Sequence, residues 1–92
     1  MDRLPEKFEK EVLTLDISWD DTNQRYLSDY GKFDVVVSND ELAAKALAEL
    51  MPKGVWMLYD HDDHFVITVP GQTFINKSFS EAVFKAVRCV YG

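Results

Sequence analysis

The chain has 92 residues, which is enough for one domain with one hydrophobic core and too few for two. Apolar residues make up 47% of it, which excludes a disordered chain, and no apolar run reaches the roughly 18 residues of a membrane-spanning helix. The net charge of −6 argues against a surface that binds nucleic-acid phosphates. We therefore expect one domain over residues 1–92 that binds neither membranes nor nucleic acid.

The first residues are charged and lack the apolar core of a secretory signal, so a cytoplasmic location is expected. Cys89 is the only cysteine, which excludes an internal disulfide and a four-cysteine zinc site. Its neighbours Val87 and Val90 predict a buried, structural thiol.

Pro5 and Glu6 predict a first helix over residues 5–15, since proline suits the first helical position and an acid complements the helix dipole there. Residues 12–17 also fit an extended segment, so the end of this helix stays open. The apolar positions that share one face of the helix are Leu4, Phe8, Val12 and Leu15.

The next segment, residues 16–34, is polar with aromatic residues spaced through it. A loop of this length without structure is uncommon in a small domain, so we expect the aromatics to anchor it or a short strand to lie within it. Aromatics among acids are also typical of recognition surfaces, although they would equally serve to pin the segment to the core. The predicted contact residues here are Trp19, Asp20, Asp21, Tyr26, Asp29 and Tyr30.

A strand over residues 33–37 is predicted before a strong helix start. Ser38 and Glu41 have the spacing of a capping box, and Pro52 with Gly54 ends the helix. The apolar stripe at helical spacing consists of Leu42, Ala43, Ala46, Leu47 and Leu50.

Three strands are predicted over residues 55–59, 65–69 and 73–75, because these runs are rich in aromatic and β-branched residues and are separated by turn residues. In the first strand, Trp56 and Leu58 alternate with Met57 and Tyr59. Bulky groups on both faces predict that neither face lies bare in water and that helices cover the sheet.

The last helix is predicted to run to Val90, and it starts either at Ser78, in a capping box with Glu81, or at Ser80, with Phe79 and Phe84 as a hydrophobic staple. Its inward-facing residues are Val83, Ala86, Val87 and Val90. The elements together predict an α+β fold: a small antiparallel sheet of three to four strands covered by two or three helices, in an α-β-α sandwich.

The turn at residues 60–64 contains two histidines and three aspartates. His61 and His64 could ligate a divalent metal, but the spacing lacks a third ligand on a rigid element, and a solvated turn is favoured. The sequence contains no glycine-rich phosphate loop, nucleophile elbow or HExxH motif. We therefore expect a protein that is not an enzyme and that needs no cofactor.

Two stretches, VVVSNDELAAKALAEL and SFSEAVFKAVRCVYG, give the chain a resemblance to a known family over about residues 36–92. It resembles the phage ABA sandwich domain family, small phage and prophage proteins of unknown function. The resemblance implies a phage or prophage origin and an α-β-α sandwich, and it implies no catalytic residues.

The function expected from the resemblance and the acidic charge is that of a non-enzymatic protein-binding module, an inhibitor of a basic host or defence protein in the host cytoplasm. Its predicted contacts are the residues named in segment 16–34 together with Asp60, Asp62 and Asp63. Two alternatives stay open: a metal-binding module or metal-dependent enzyme on His61 and His64, and a homodimeric accessory protein that pairs through a sheet edge.

Overall fold

The computed structural model describes residues 1–13, 16–30, 33–59 and 62–92, without the side chains of Tyr30 and Phe33. The predicted α+β class is confirmed, with three helices and two small antiparallel sheets in the described part of the chain. The helices are α1 (Glu6–Phe8), α2 (Asn39–Leu50) and α3 (Phe79–Tyr91). The strands are β1 (Ile17–Asp20), β2 (Arg25–Tyr30), β3 (Phe33–Val36), β4 (Trp56–Tyr59), β5 (Phe65–Val69) and β6 (Gln72–Asn76).

The strands form a first sheet in the order β1-β2-β3 and a second sheet in the order β4-β5-β6, and all neighbours are antiparallel. The expectation of a short strand within residues 16–34 is confirmed, because both β1 and β2 lie there. Helix α2 lies between the two meanders along the chain, and the six described strands form two sheets rather than one.

Both predicted helix starts are capped as expected. The Ser38 hydroxyl accepts a hydrogen bond from the Glu41 amide at 3.1 Å, and the Ser78 hydroxyl accepts one from the Glu81 amide at 3.4 Å. Each cap satisfies one of the amide groups that the first turn of a helix leaves without a backbone partner. The chain after α2 makes a 3₁₀ turn (Met51–Lys53) that ends at Gly54, whose φ of 87° favours glycine.

The first helix begins at Glu6 and continues beyond α1 as a π-helical segment (Glu9–Leu13). The apolar face predicted for it is confirmed at Leu4, Phe8 and Val12, which are all buried, while Leu15 lies outside the described residues.

The core lies where α2 and α3 pack against each other and α3 packs over β5 and β6. The helix α1 joins it through Phe8, whose ring meets that of Tyr91 edge to face with centroids 5.3 Å apart. The largest fully buried side chains come from both sheets and all three helices: Tyr26, Phe8, Leu13, Leu42, Leu50, Ile67, Val83 and Val87.

The expectation that both faces of the second sheet are covered is wrong. Trp56 is 71% exposed and Leu58 is 67% exposed. The described residues form two long helices, α2 and α3, which pack on each other. One side of this sheet therefore packs against α3, and the other side contacts neither of these described helices.

The expectation of a buried thiol at Cys89 is also wrong, because the residue is exposed. Burial on a helix follows the 3.6-residue period rather than adjacency in sequence. Cys89 shares the polar side of α3 with Lys85, four residues earlier, whereas Val83 and Val87 lie on the buried side.

No helix in the described ranges combines the length and the apolar character needed to cross a membrane.

Candidate functional site

The most distinctive surface of the protein is one face of the second sheet, which we call the outer face. Strand register places its members side by side: Leu58 is opposite Val66, and Val66 is opposite Ile75. In the neighbouring row, Trp56 is opposite Thr68, and Thr68 is opposite Thr73. None of these side chains is charged. The outer face consists of Trp56, Leu58, Val66, Thr68, Thr73 and Ile75.

The opposite face of the same sheet belongs to the core. Ile67 lies at its centre, between Met57 and Phe74, and is fully buried. Phe65 on this face packs against Phe79 at the start of α3, with ring centroids 5.5 Å apart. Because successive side chains of a strand point to opposite faces, the sheet has one face that α3 covers and one apolar face that lies in solvent.

Strand β4 is exposed on both of its faces. Met57 and Tyr59 point to the covered side of the sheet, yet they are 39% and 61% exposed, because α3 packs over β5 and β6 rather than over β4. Strand β4 also lies at the edge of its sheet, and its second edge pairs with no strand of the described chain. We call this second edge the free edge of β4.

Opposite charges lie at the two ends of β4. Lys53 precedes the strand, with its ammonium 4.7 Å from the centroid of the Tyr91 ring and 3.9 Å from a carboxylate oxygen of Glu11. The exposed Asp62 and Asp63 follow the strand. Asp63 accepts a hydrogen bond of 2.7 Å from the Tyr59 hydroxyl, and this bond raises the pKa of Tyr59.

Tyr26, predicted as a contact residue, is 1% exposed and cannot touch a partner, so this part of the prediction is wrong. Its hydroxyl donates to a carboxylate oxygen of Glu9 at 2.6 Å and accepts from the amide of Leu4 at 2.9 Å. Burial, followed by the hydrogen bond to Glu9, raises the pKa of Tyr26 strongly. Tyr26 therefore fastens the first sheet to the N-terminal segment. This agrees with the alternative prediction that the aromatics of segment 16–34 anchor it to the core.

Trp19 is half-buried against Tyr26, with ring centroids 4.8 Å apart, and its indole N–H donates to Asp21 at 3.2 Å. Asp20 accepts from the Asn23 side chain at 2.9 Å and from Arg25 at 3.3 Å. The hydrogen bond from Asn23 is the main cause that lowers the pKa of Asp20. The contacts of these side chains with one another stabilise the β1-β2 turn. Of the predicted contact residues Trp19, Asp20 and Asp21, only Asp21 is exposed, and the other two are half-buried.

Asp29 is exposed and lies directly opposite Asp34, which is also exposed, in the β2-β3 pairing. The amide of Asp29 donates to the carbonyl oxygen of Asp16, so a third acidic residue occupies the adjacent chain. Like charges that face each other across two strands are unfavourable. This arrangement concentrates negative charge at one end of the first sheet.

Replacing Asp34 with asparagine is expected to raise the free energy of unfolding by about 0.5 kcal/mol, because it removes the like charge opposite Asp29. Urea denaturation at low salt measures the gain, which should shrink at high salt as the repulsion is screened. The same substitution at Asp40 is the control: that acid lies in the first turn of α2, where it complements the dipole, and its loss should be mildly destabilising. A loss of stability at Asp34 would contradict the prediction.

Several predicted site residues fall outside the described part of the chain: Asp60, His61 and the side chain of Tyr30. His64 is described and is half-buried. In the ranges that the structure describes, no group of three potential ligands is placed to hold a metal ion. The metal alternative on His61 and His64 stays a prediction, and Asp62 and Asp63 lie exposed next to β4 as predicted for the turn.

An open polar groove lies between the N-terminus and the first turns of α3. Its groups already contact one another: the hydroxyls of Ser78 and Ser80 are 3.2 Å apart, and Arg88 donates to the carbonyl oxygen of Asp2 at 3.3 Å. The groove is lined by two acidic side chains, Asp2 and Glu81, and by two basic ones, Lys85 and Arg88, so these side chains give it no net charge that would select an anion or a cation.

No family model matches the chain, and no curated protein or solved structure matches it either. The resemblance to phage ABA sandwich domains and the origin it implies therefore stay predictions.

Sequence reasoning missed the outer face as a candidate site, although a signal for it was present. Trp56 and Leu58 alternate with residues that are themselves bulky, while only two long helices were available as covers. Two helices that must also bury each other's apolar stripes cannot cover both faces of a second sheet.

Proposed function

We propose that this protein is a protein-binding module whose docking surface comprises the outer face and the free edge of β4. The observation that carries the proposal is the apolar row across the outer face: Trp56, Leu58 and Ile75 are 71%, 67% and 61% exposed, and the half-buried Val66 joins Leu58 to Ile75. Single exposed apolar residues are ordinary, but contiguous apolar patches mark interaction surfaces. Charged residues make up 28% of the chain, yet the outer face contains none, which is the composition of an interface centre.

The narrower role of inhibiting a basic host or defence protein is part of this proposal. The net charge of −6 would attract a basic partner and speed its approach, and such a partner would contact exposed acids outside β4. Asp62 and Asp63 beside β4 are exposed, and so are Asp29 and Asp34 on the first sheet.

Photo-crosslinking in cells tests the docking surface. With p-benzoylphenylalanine in place of Trp56, irradiation is expected to give a discrete protein adduct, because an interface residue with a large aromatic ring contacts the bound partner directly. The matched control carries the same residue in place of Lys45, which is exposed on α2 and remote in sequence from β4. Mass spectrometry of the adduct identifies the partner.

An adduct at position 56 that is absent at position 45 supports the proposal. Equal labelling at both positions, or no adduct at position 56, would show that the outer face is not a docking surface.

A further inference from the structure

We infer that the occupant of this docking surface is a second copy of the chain, joined by antiparallel pairing of the two β4 strands across a two-fold axis. The inference rests on the proposed function, because it names the partner of the same surface. Such pairing would join two three-stranded sheets into one of six strands.

The first reason is that β4, although short, lacks the other features by which proteins protect an edge strand. Edges are usually blunted by lysine, proline, a bulge or a covering helix. The residues of β4 are Trp, Met, Leu and Tyr, and its register with β5 is continuous over all four of them. With both faces and one edge in solvent, β4 offers backbone donors and acceptors together with apolar side chains.

The second reason is that β4 is complementary to itself. When the two-fold axis passes beside Met57, antiparallel pairing sets Trp56 of each copy opposite Leu58 of the other, on the same face of the sheet. Aromatic and aliphatic residues in opposite positions are favourable cross-strand pairs. A basic partner strand would find no carboxylate within β4 to pair with, whereas a second β4 places an apolar residue opposite Trp56, Met57 and Leu58.

The third reason is the charge at the two ends of the strand. Antiparallel pairing brings the start of one β4 to the end of the other, so Lys53 of each copy approaches the exposed Asp63 of its neighbour. The arrangement occurs twice by symmetry. Opposite charges at the rim fix orientation and register, and they offset part of the repulsion between two chains that each carry a net charge of −6.

A four-residue edge is short, so the contact is smaller than the roughly 800 Å² per partner of a stable interface. We therefore expect a dimer that forms and dissociates in the micromolar concentration range. Sedimentation velocity at low and high micromolar concentration should show monomer converting to dimer.

Leu58→Lys tests the role of the strand. A lysine in the pairing surface must lose its water on association, so we expect dimerisation to weaken about tenfold or more, with unchanged far-ultraviolet circular dichroism. The matched control is Thr73→Lys, which adds the same charge to the outer face on β6, at the other edge of the same sheet. It should leave dimerisation nearly unchanged.

Cysteine crosslinking tests the register. In a Cys89→Ser background, which removes the exposed native thiol, Met57→Cys should form an intermolecular disulfide about tenfold faster than Ile75→Cys, because pairing holds the two thiols of position 57 together. Oxidation by dissolved oxygen supplies the acceptor for the two electrons and two protons that the thiols release.

Two results together support the inference. Crosslinking is faster at position 57 than at position 75, and dimerisation is weakened by Leu58→Lys but not by Thr73→Lys. Faster crosslinking at position 75, or equal weakening by Thr73→Lys, would replace edge pairing with face-to-face packing and overturn it. A strict monomer at high micromolar concentration would overturn it as well. The proposed function is judged separately, because a photo-adduct of position 56 with a different protein would sustain the docking surface while excluding the second copy.

Discussion

Replacing Ile67 with alanine is expected to lower the free energy of unfolding by about 2–5 kcal/mol, the range for truncating a large aliphatic side chain in a core. Ile67 is fully buried at the centre of the covered face of the second sheet, where it is opposite both Met57 and Phe74. The surrounding strands are held by hydrogen bonds and α3 by its own packing, so the cavity cannot collapse completely. Urea denaturation followed by circular dichroism measures the loss.

Ile75→Ala is the matched control, because it makes the same change on the next strand but on the outer face. Ile75 is 61% exposed, so the effect on the monomer should stay within about 0.5 kcal/mol. Similar losses at the two positions would contradict one-sided burial of the second sheet, and with it the exposed docking surface. The comparison is made at low protein concentration so that self-association does not contribute.

Replacing Tyr26 with phenylalanine is expected to cost about 1–3 kcal/mol of stability, because the buried amide of Leu4 loses its acceptor and Glu9 keeps only the donors of Arg3. The ring itself is retained, so its edge-to-face contact with Trp19 should persist. Tyr59→Phe is the control: it removes a similar phenol-to-carboxylate bond, to Asp63, at a side chain that is 61% exposed. A larger loss at Tyr59 than at Tyr26 would contradict the assignment.

The raised pKa of Tyr26 gives the same contact a pH signature. The folded protein keeps the phenol protonated above pH 10, the ordinary pKa of tyrosine, whereas the unfolded chain releases the proton there. The contribution of Tyr26 to stability is therefore complete below about pH 10 and is lost as the pH rises further. Alkaline denaturation should be less steep in Tyr26→Phe than in the wild type, and identical profiles would contradict the prediction.

Local signals in the sequence predicted most of the elements correctly. The two capped helices begin where Ser38 and Ser78 placed them, since capping depends on residues three positions apart. The strands of the second sheet follow from runs of aromatic and β-branched residues in the same way. The first sheet was less visible: β1 and β2 contain Asp, Ser and Arg, and only the improbability of a long bare loop pointed to a strand there.

The burial of the candidate contact residues was harder to predict from the sequence. Aromatic residues among acids in segment 16–34 resembled a recognition loop, yet Tyr26 is buried and Trp19 packs against it. Trp56 and Leu58 resembled core residues, yet they lie in solvent. In both cases the residue type was informative about packing, but the partner that decides burial comes from a distant part of the chain: Leu4 and Glu9 for Tyr26, and α3 for the second sheet.

The sequence by itself determined the α+β class, the two capped helices, the hairpin-rich second half and an acidic chain with one cysteine. These properties depend on neighbours within a few residues or on composition. Only the tertiary structure decided that the strands divide into two sheets, that α3 covers one face of the second, and that Trp56, Leu58 and Ile75 remain in water. Burial is a property of contacts between distant segments, and the alternation of apolar residues in β4 is equally compatible with either face being covered.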